Sequence, residues 1–214
     1  MRNLQALLGD QPVVVVLRAS TAERFPAAVD VLVDAGFRTV EVTLTTAGAL
    51  SSIAGLRARH GAQLTIGAGS IRTPGDAQAA IEAGARFVVG QVTNREVAQV
   101  ARTARVSYVP GALTPNEILS AWSLGVDAVK VSPVGPLGGA SYIRELHGPL
   151  PDVPLFPTGG VEPDHVLEYL SAGAEIVGLS ARLIQDALGP SGDLSALGQR
   201  SERVVQLLEQ HRNG

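Results

Sequence analysis

The stretch that decides the fold is VVVVLRASTAERFPAAVDVLVDAGFRTVEVT, residues 13–43. It begins with a run of β-branched residues, continues through an amphipathic segment rich in alanine and valine, and ends in a second β-branched run. Short strands that alternate with helical segments are typical of the βαβ units that build parallel sheets. Because the same alternation continues along the whole chain, the sequence predicts an α/β fold.

The alternation predicts about eight strands, the number that closes a (β/α)8 TIM barrel. The predicted strands are Val13–Leu17, Thr39–Thr43, Gln63–Ala68, Phe87–Val89, Val106–Tyr108, Ala128–Val131, Leu155–Pro157 and Ile176–Gly178. A final helix is predicted near Leu194–Gln210. Proline and glycine are spread among the corners, so residues 1–214 are predicted to form one domain. A doubly wound open sheet stays the alternative, because periodicity alone cannot show closure.

Four dipeptides that end in glycine mark corners where a predicted helix stops ahead of a strand. These pairs are Ala35-Gly36, Ala83-Gly84, Leu124-Gly125 and Ala172-Gly173. Glycine is the preferred residue just past the end of a helix, where the chain turns. Each pair therefore predicts a helix-to-strand corner.

Composition and charge narrow the possible partners. The net charge of −3 comes from interspersed charges, which do not form the basic surface that nucleic-acid binding requires. The absence of cysteine excludes disulfides and thiolate nucleophiles. We expect no leader of secretory type, and the longest apolar run, Val13–Leu17, is too short to cross a bilayer. We expect a cytoplasmic protein that acts on a small molecule and binds neither nucleic acid nor membrane.

The chain contains a single lysine, Lys130, among 17 lysine and arginine residues. A coding bias toward arginine would explain why lysine is scarce, and such a bias would make the remaining lysine informative. Arginine stays protonated, whereas burial can make a lysine amine neutral and nucleophilic. The alternative is an amine that reaches solvent at the end of a strand.

Three predicted strands carry a charged residue on one alternating face: Glu41 in TVEVT, Lys130 in AVKVS and Arg18 at the end of VVVVLR. If the apolar face packs against helices, all three point into the barrel near the carboxyl ends of the strands, where barrel enzymes have their active sites. A buried lysine beside a carboxylate supplies the nucleophile and the proton carrier that imine chemistry requires. A structural ion pair is the alternative for Glu41.

Glycine-rich segments follow the last two predicted strands. PTGGV (Pro157–Val161) and GLSAR (Gly178–Arg182) lie where barrels often bind phosphate through backbone N–H groups. The candidates are Gly159, Gly160, Gly178 and Ser180, although such glycines can also simply form tight corners. GAGSIRTP, which begins at Gly67, adds the hydroxyl of Ser70.

All four histidines, which are His60, His147, His165 and His211, fall in predicted helices or helix ends, so no metal site and no cofactor are predicted.

Together these residues resemble the KDPG/KHG aldolase family of class I lyases, which act on 2-keto-3-deoxy-6-phosphogluconate or 4-hydroxy-2-oxoglutarate. The matching motifs, in chain order, are VVLRAS, VEVTLTT, IGAGSI, VPGALTPNE, AVKVSP, FPTGGV and VGLSA. The resemblance implies a TIM barrel, a homotrimer, and metal-independent cleavage of a 2-keto-3-deoxy-6-phospho sugar acid to pyruvate and glyceraldehyde 3-phosphate.

The resemblance also implies roles for particular residues. Lys130 would form the Schiff base and Glu41 would carry protons. The substrate-binding residues would be Arg18, Ser70, Thr43, Pro110 and Gly111. The phosphate-binding residues would be Gly159, Gly160, Gly178 and Ser180.

The chain departs from the family pattern at Thr45, at Ser132 and at Gly90-Gln91. These departures leave the substrate open between gluconate-derived, galactonate-derived and non-phosphorylated acids. Two other functions also stay open. One is a phosphosugar isomerase or epimerase, and the other is a non-catalytic barrel that binds a phosphorylated metabolite.

Overall fold

The computed structural model describes Leu8 and residues 11–213. The strands in this part of the chain are β1 (Val13–Leu17), β2 (Thr39–Thr43), β3 (Thr65–Ile71), β4 (Phe87–Gly90), β5 (Ser107–Val109), β6 (Gly111–Ala112), β7 (Val129–Val131), β8 (Leu155–Pro157) and β9 (Val177–Leu179). The helices are α1 (Phe25–Asp34), α2 (Ala49–His60), α3 (Pro74–Glu82), α4 (Arg95–Ala104), α5 (Pro115–Trp122), α6 (Ala140–His147), α7 (Val166–Ser171), α8 (Ala181–Ile184) and α9 (Leu194–Asn213). Short 3-10 turns cover Gly61–Gln63, Gly135–Leu137 and Pro163–His165.

The strands pair in parallel and form two sheets. One sheet has the order β5-β4-β3-β2-β1-β9, and the other has the order β6-β7-β8. The predicted single run of eight strands is therefore corrected: the fifth strand, predicted at Val106–Tyr108, is β5, and a further short strand, β6, follows it after Pro110. Proline has no N–H to donate to a strand ladder. The sheets also adjoin at their other edge, where the Glu175 amide donates to the Leu155 carbonyl over 3.0 Å, two residues before β9.

The bounds of the third strand are a second correction. We predicted a strand from Gln63, but Gln63 lies in a 3-10 turn that continues α2 by three residues. The strand instead starts at Thr65 and runs past Ala68 to Ile71. Its pairing with β4 is irregular between Ala68 and Ile71, where Ser70 has a left-handed φ of 61°. This bulge therefore lies at the carboxyl end of β3.

The two faces of the sheets are packed differently. The face toward the helices contacts the large apolar core, which includes Val40 and Val42. The opposite face contacts a smaller apolar cluster that includes Phe87 and Phe156. Gly67 makes room for this cluster, since a Cβ there would lie 2.2 Å from the Phe87 ring. Val40 and Val42 thus face the helices, which was the condition for Glu41 to point into the fold.

The predicted glycine corners are confirmed. Gly36, Gly84, Gly125 and Gly173 all have positive φ, from 67° to 111°. At Gly36 the helix ends and the amide donates to the Val33 carbonyl over 3.0 Å. The result is an α/β domain in which each of the helices α1 to α7 connects one strand to the next. None of the helices described is both long and apolar enough to cross a membrane.

Candidate active site

The only lysine and the strand glutamate meet inside the fold. Lys130 on β7 and Glu41 on β2 belong to different sheets, and their Nζ and Oε1 atoms are 4.0 Å apart. Their side chains are 6% and 1% exposed. Gly69 gives the carboxylate its space, because a Cβ there would come within 1.8 Å of Glu41 Oε1. The structure therefore brings together the two residues that the strand patterns singled out.

The environment of Glu41 favours the protonated carboxyl. Burial raises the pKa of Glu41 above its usual range, and the positive charges of Lys130 and Arg18 offset only part of that effect. Its Oε2 atom is buried and has no hydrogen-bond partner among the described residues. An unpaired buried carboxyl oxygen is costly for stability. Such an atom is available to exchange a proton with a bound molecule or a water.

Arg18 and Ser70 lie together beside this pair. Arg18 is exposed at the end of β1, and its Nη2 donates to Ser70 Oγ over 3.3 Å. Ser70 sits at the left-handed bulge of β3, a conformation that a non-glycine residue rarely adopts. Two predicted substrate-binding residues thus share one position at the carboxyl edge of the sheet.

The other predicted substrate-binding residues mostly hold the strands together. The buried hydroxyl of Thr43 donates to the Leu17 carbonyl over 3.1 Å, which ties β2 to β1. The Pro110 carbonyl accepts the Lys130 backbone amide over 2.8 Å, and Gly111 is the strand partner of Lys130. Pro110 and Gly111 therefore fix the backbone that carries the amine.

The predicted phosphate residues fall into two groups. Gly159 and Gly160 follow β8 with φ of 81° and 88°, and Gly160 is exposed. Ser180 is half-buried just before the short helix α8. Gly178 instead lies buried within β9, where a Cβ would meet Thr158 Cγ2 at 2.4 Å. The first three residues line the strand exits, while Gly178 permits close packing beneath them.

Sequence reasoning missed two polar residues at this edge, Thr46 and Thr158, and noted Gln91 only as a departure from the family pattern. Thr158 is buried directly after β8, and Thr46 is buried beside Thr43 with its Oγ1 accepting the Ala19 amide over 3.3 Å. Gln91 Nε2 donates to the Ser132 carbonyl over 3.1 Å, joining the exits of β4 and β7. A polar residue next to a strand proline could have indicated Thr158. No periodic pattern covers the loop that holds Thr46.

The histidines lie in helices or at helix ends, as predicted. His60 and His147 are the last residues of α2 and α6, His165 ends a 3-10 turn, and His211 lies in α9. Among the described residues, no three His, Asp or Glu side chains are grouped closely enough to hold a metal ion.

Comparison with known proteins agrees with this geometry. The family model described as KDPG and KHG aldolase matches residues 4–199. A 2-dehydro-3-deoxy-phosphogluconate aldolase from Pseudomonas aeruginosa is 30% identical over 201 residues, which cover 94% of this chain and 90% of the relative. A 2-dehydro-3-deoxy-6-phosphogalactonate aldolase from Escherichia coli K12 is 30% identical over 196 residues, which cover 91% and 90%.

A solved structure extends the comparison to three dimensions. KDPG aldolase from Legionella pneumophila, with pyruvate captured at low pH as a covalent carbinolamine intermediate, superimposes with a TM-score of 0.83 at 25% identity. The match covers 93% of this chain and 96% of that one. The chain belongs to the KDPG/KHG aldolase family, and its relatives are lyases.

Proposed function

We propose that this protein is a class I, metal-independent aldolase in which Lys130 forms a Schiff base with the keto group of its substrate. The observation that carries the proposal is the buried pair of the only lysine and Glu41, with Nζ and Oε1 4.0 Å apart. A buried amine and a carboxyl in reach of each other are the two parts that imine chemistry needs. The covalent carbinolamine in the Legionella relative supports the same chemistry.

The reaction begins when Lys130 Nζ attacks the C2 ketone and forms a carbinolamine. Loss of water, for which Glu41 donates the proton, gives a protonated imine. Glu41 then accepts the proton of the C4 hydroxyl while the C3–C4 bond breaks, and the bonding electrons move into the imine to form an enamine. The aldehyde leaves, and Glu41 returns the proton to C3. Hydrolysis of the new imine releases pyruvate and restores the amine.

The raised pKa of Glu41 suits these proton transfers. A carboxyl that ionises nearer neutral pH can both donate and accept a proton during one turnover. The partnerless Oε2 atom leaves one oxygen for this exchange. An exposed glutamate, by contrast, would stay ionised and could not serve as the acid.

Both ends of the substrate are held in the proposed complex. Arg18 and Ser70, joined over 3.3 Å, would bind the carboxylate next to the imine carbon. Backbone N–H groups around Gly159, Gly160 and Ser180 would bind the phosphate, with Gly178 packed below them. Anchoring both ends fixes the C3–C4 bond between Lys130 and Glu41.

The preferred substrate in this proposal is 2-keto-3-deoxy-6-phosphogluconate, which gives pyruvate and glyceraldehyde 3-phosphate. The relatives named above include one phosphogluconate and one phosphogalactonate enzyme at the same 30% identity. Ser132 and Gln91 depart from the family pattern, and the Gln91 side chain donates a hydrogen bond to the Ser132 carbonyl at the edge of the site. These two residues would adjust the substrate preference. Comparing the release of pyruvate from both phosphorylated acids and from a non-phosphorylated 4-hydroxy-2-oxo acid tests the assignment.

The proposal extends to the architecture and the assembly. The two sheets adjoin at Pro110 and at the Glu175 to Leu155 hydrogen bond, which supports a closed (β/α)8 barrel. We further propose a cytoplasmic homotrimer. Sedimentation equilibrium of the full chain tests the trimer.

The decisive experiment uses the only lysine. With pyruvate and borohydride, the protein should be irreversibly inactivated and gain one reduced pyruvyl group, because hydride converts the imine to a stable secondary amine. The chain has two primary amines, the N-terminus and Lys130, so peptide mapping has two possible answers. We expect the adduct on Lys130.

Lys130→Arg is the matched variant, because it keeps the positive charge but removes the nucleophile. It should show neither adduct nor turnover. An adduct found only on Met1, or wild-type turnover in Lys130→Arg, would contradict the Schiff-base mechanism. Protein without an adduct that still interconverts phosphosugars would instead be an isomerase or epimerase.

A further inference from the structure

A basic cavity of about 960 Å³ lies at the end of the sheet opposite the Lys130 amine. We call it the arginine cavity because its lining includes Arg57, Arg86, Arg102 and Arg105. The one acid in that lining is Glu82, whose Oε1 accepts the Gln78 amide over 2.7 Å. The lining therefore contains four arginines and one acidic residue.

The arginine cavity is separate from the candidate active site. Thr65, at the start of β3, lines an adjoining cavity of about 410 Å³ that shares Arg57 and Arg86 with the first. Ser70 lies five residues further along the same strand, which corresponds to about 17 Å at the rise of a β-strand. A molecule in the arginine cavity would thus bind at the amino ends of β4 and β5, away from the reacting groups.

Two of the four arginines are held in place by the backbone. Arg57 Nη1 donates to the Gly84 carbonyl over 3.0 Å, and its Cδ occupies the space where a Gly84 Cβ would lie, 2.6 Å away. Arg102 Nη2 donates to the Leu124 carbonyl over 2.8 Å. A guanidinium has five N–H donors, so each group keeps others for a ligand. Groups that are already positioned lose less entropy on binding.

The charge of the cavity is not balanced by acids within the described part of the chain. In the described part of the chain, the basic residues that form ion pairs are Arg59, His60, Lys130 and Arg182. None of them is one of the four cavity arginines. Like charges that share a concave surface repel each other and concentrate anions. A bound anion would relieve that repulsion.

We propose that the arginine cavity binds a small molecule that carries two or more phosphate groups. The planar guanidinium fork matches the geometry of phosphate oxygens in bidentate hydrogen bonds. The volume of the cavity is that of a small-molecule site. A long nucleic acid is disfavoured, because the chain as a whole has a net charge of −3 and would repel most of its backbone.

Calorimetric titration of the full chain with inorganic pyrophosphate tests the proposal. Arg86 and Arg105 are exposed and have no side-chain hydrogen bond within the described residues, so an Arg86→Gln/Arg105→Gln double variant should fold normally. We expect it to bind pyrophosphate at least tenfold more weakly than the unaltered protein. Arg203→Gln, an exposed position on α9 outside the cavity, is the matched control and should bind normally.

The outcomes separate this site from the proposed phosphate site near Gly160. If pyrophosphate bound only near Gly160, its binding would be lost in Gly160→Val and unchanged in the double variant. That result would overturn the proposal. Equal losses in the double variant and in Arg203→Gln would also overturn it, as would tighter binding of citrate or of a single-stranded oligonucleotide. Retro-aldol turnover should stay unchanged in the double variant, so this test does not depend on the aldolase assignment.

Discussion

The two ends of the sheet both carry ionisable groups, but they differ in burial and in chemistry. At one end, the Lys130 amine and the Glu41 carboxyl form a buried pair. At the other, four exposed arginines line one cavity. A buried charge costs several kcal/mol unless it is compensated, whereas exposed charges cost little. The buried pair therefore indicates chemistry by itself, while the arginines become informative only through their shared cavity and the scarcity of acids.

The proposed anion sites differ in the same way. Near Gly160, backbone N–H groups would bind a phosphate, so an added side chain should weaken phosphate binding there. In the arginine cavity, guanidinium groups would bind it, so that site should be sensitive to charge and to salt. Each of the following experiments acts on one side of this comparison.

The largest expected effect is the loss of the buried carboxylate. Glu41→Gln should lower retro-aldol turnover by about 10²- to 10⁴-fold, because it removes the group that transfers protons. Lys130 remains, so borohydride should still trap pyruvate on this variant. Turnover equal to that of the unaltered protein would remove Glu41 from the mechanism.

The next effect concerns the volume at the proposed phosphate site. Gly160 has a φ of 88°, and a Cβ there would lie 3.1 Å from the Gly135 Cα. Gly160→Val should raise KM for a phosphorylated aldol by about tenfold, the equivalent of one charge-assisted hydrogen bond, and change KM much less for the non-phosphorylated analogue. An equal rise for both substrates would indicate general damage to the fold.

A smaller effect is the pH dependence of stability. Because burial raises the pKa of Glu41, this group is ionised in the unfolded chain above its ordinary pKa of 4.5 while it stays protonated in the folded protein. The unaltered protein should therefore lose stability relative to Glu41→Gln as the pH rises from 4.5 through the folded-state pKa. Melting temperatures of both proteins between pH 4 and pH 8 measure this difference. A constant difference, or a gain in the stability of the unaltered protein relative to Glu41→Gln as the pH rises, would contradict the raised pKa.

The smallest expected effect lies in the arginine cavity. Arg86 is exposed, so Arg86→Gln should change the melting temperature by no more than about 2 °C. The change should be a slight increase at low ionic strength that disappears at high salt, because one of four like charges is removed. A large loss of stability would show that Arg86 supports the fold.

Much of the fold could be predicted because its signals are local. The bounds of β1 and β2 match their β-branched runs, and the four corner glycines have the expected positive φ. The bounds of β3 could not be predicted, because its glycine-rich sequence has little strand preference and its end depends on pairing with β4. The break at Pro110 was visible in the sequence, but its effect on the pairing was not.

The candidate site shows the same division. The alternation within two strands singled out Glu41 and Lys130, and polar residues inside covered strands are rare enough to be informative. The role of Thr43 was harder to predict, because only the packed structure shows its hydroxyl donating to the Leu17 carbonyl. Gly178 was predicted both as the end of a strand and as a phosphate-binding residue, and only the packed structure shows it buried within β9.

By itself, the sequence determined the periodicity of each element, the helix-to-strand corners and the uniqueness of Lys130. Each of these depends on residue type and on neighbours a few positions away. The tertiary structure alone decided the 4.0 Å separation of Nζ and Oε1, the contact of Arg18 with Ser70, and the gathering of four arginines around one cavity. These features join residues far apart in the chain, and their distances depend on the stagger and twist of the strands, which no local pattern encodes.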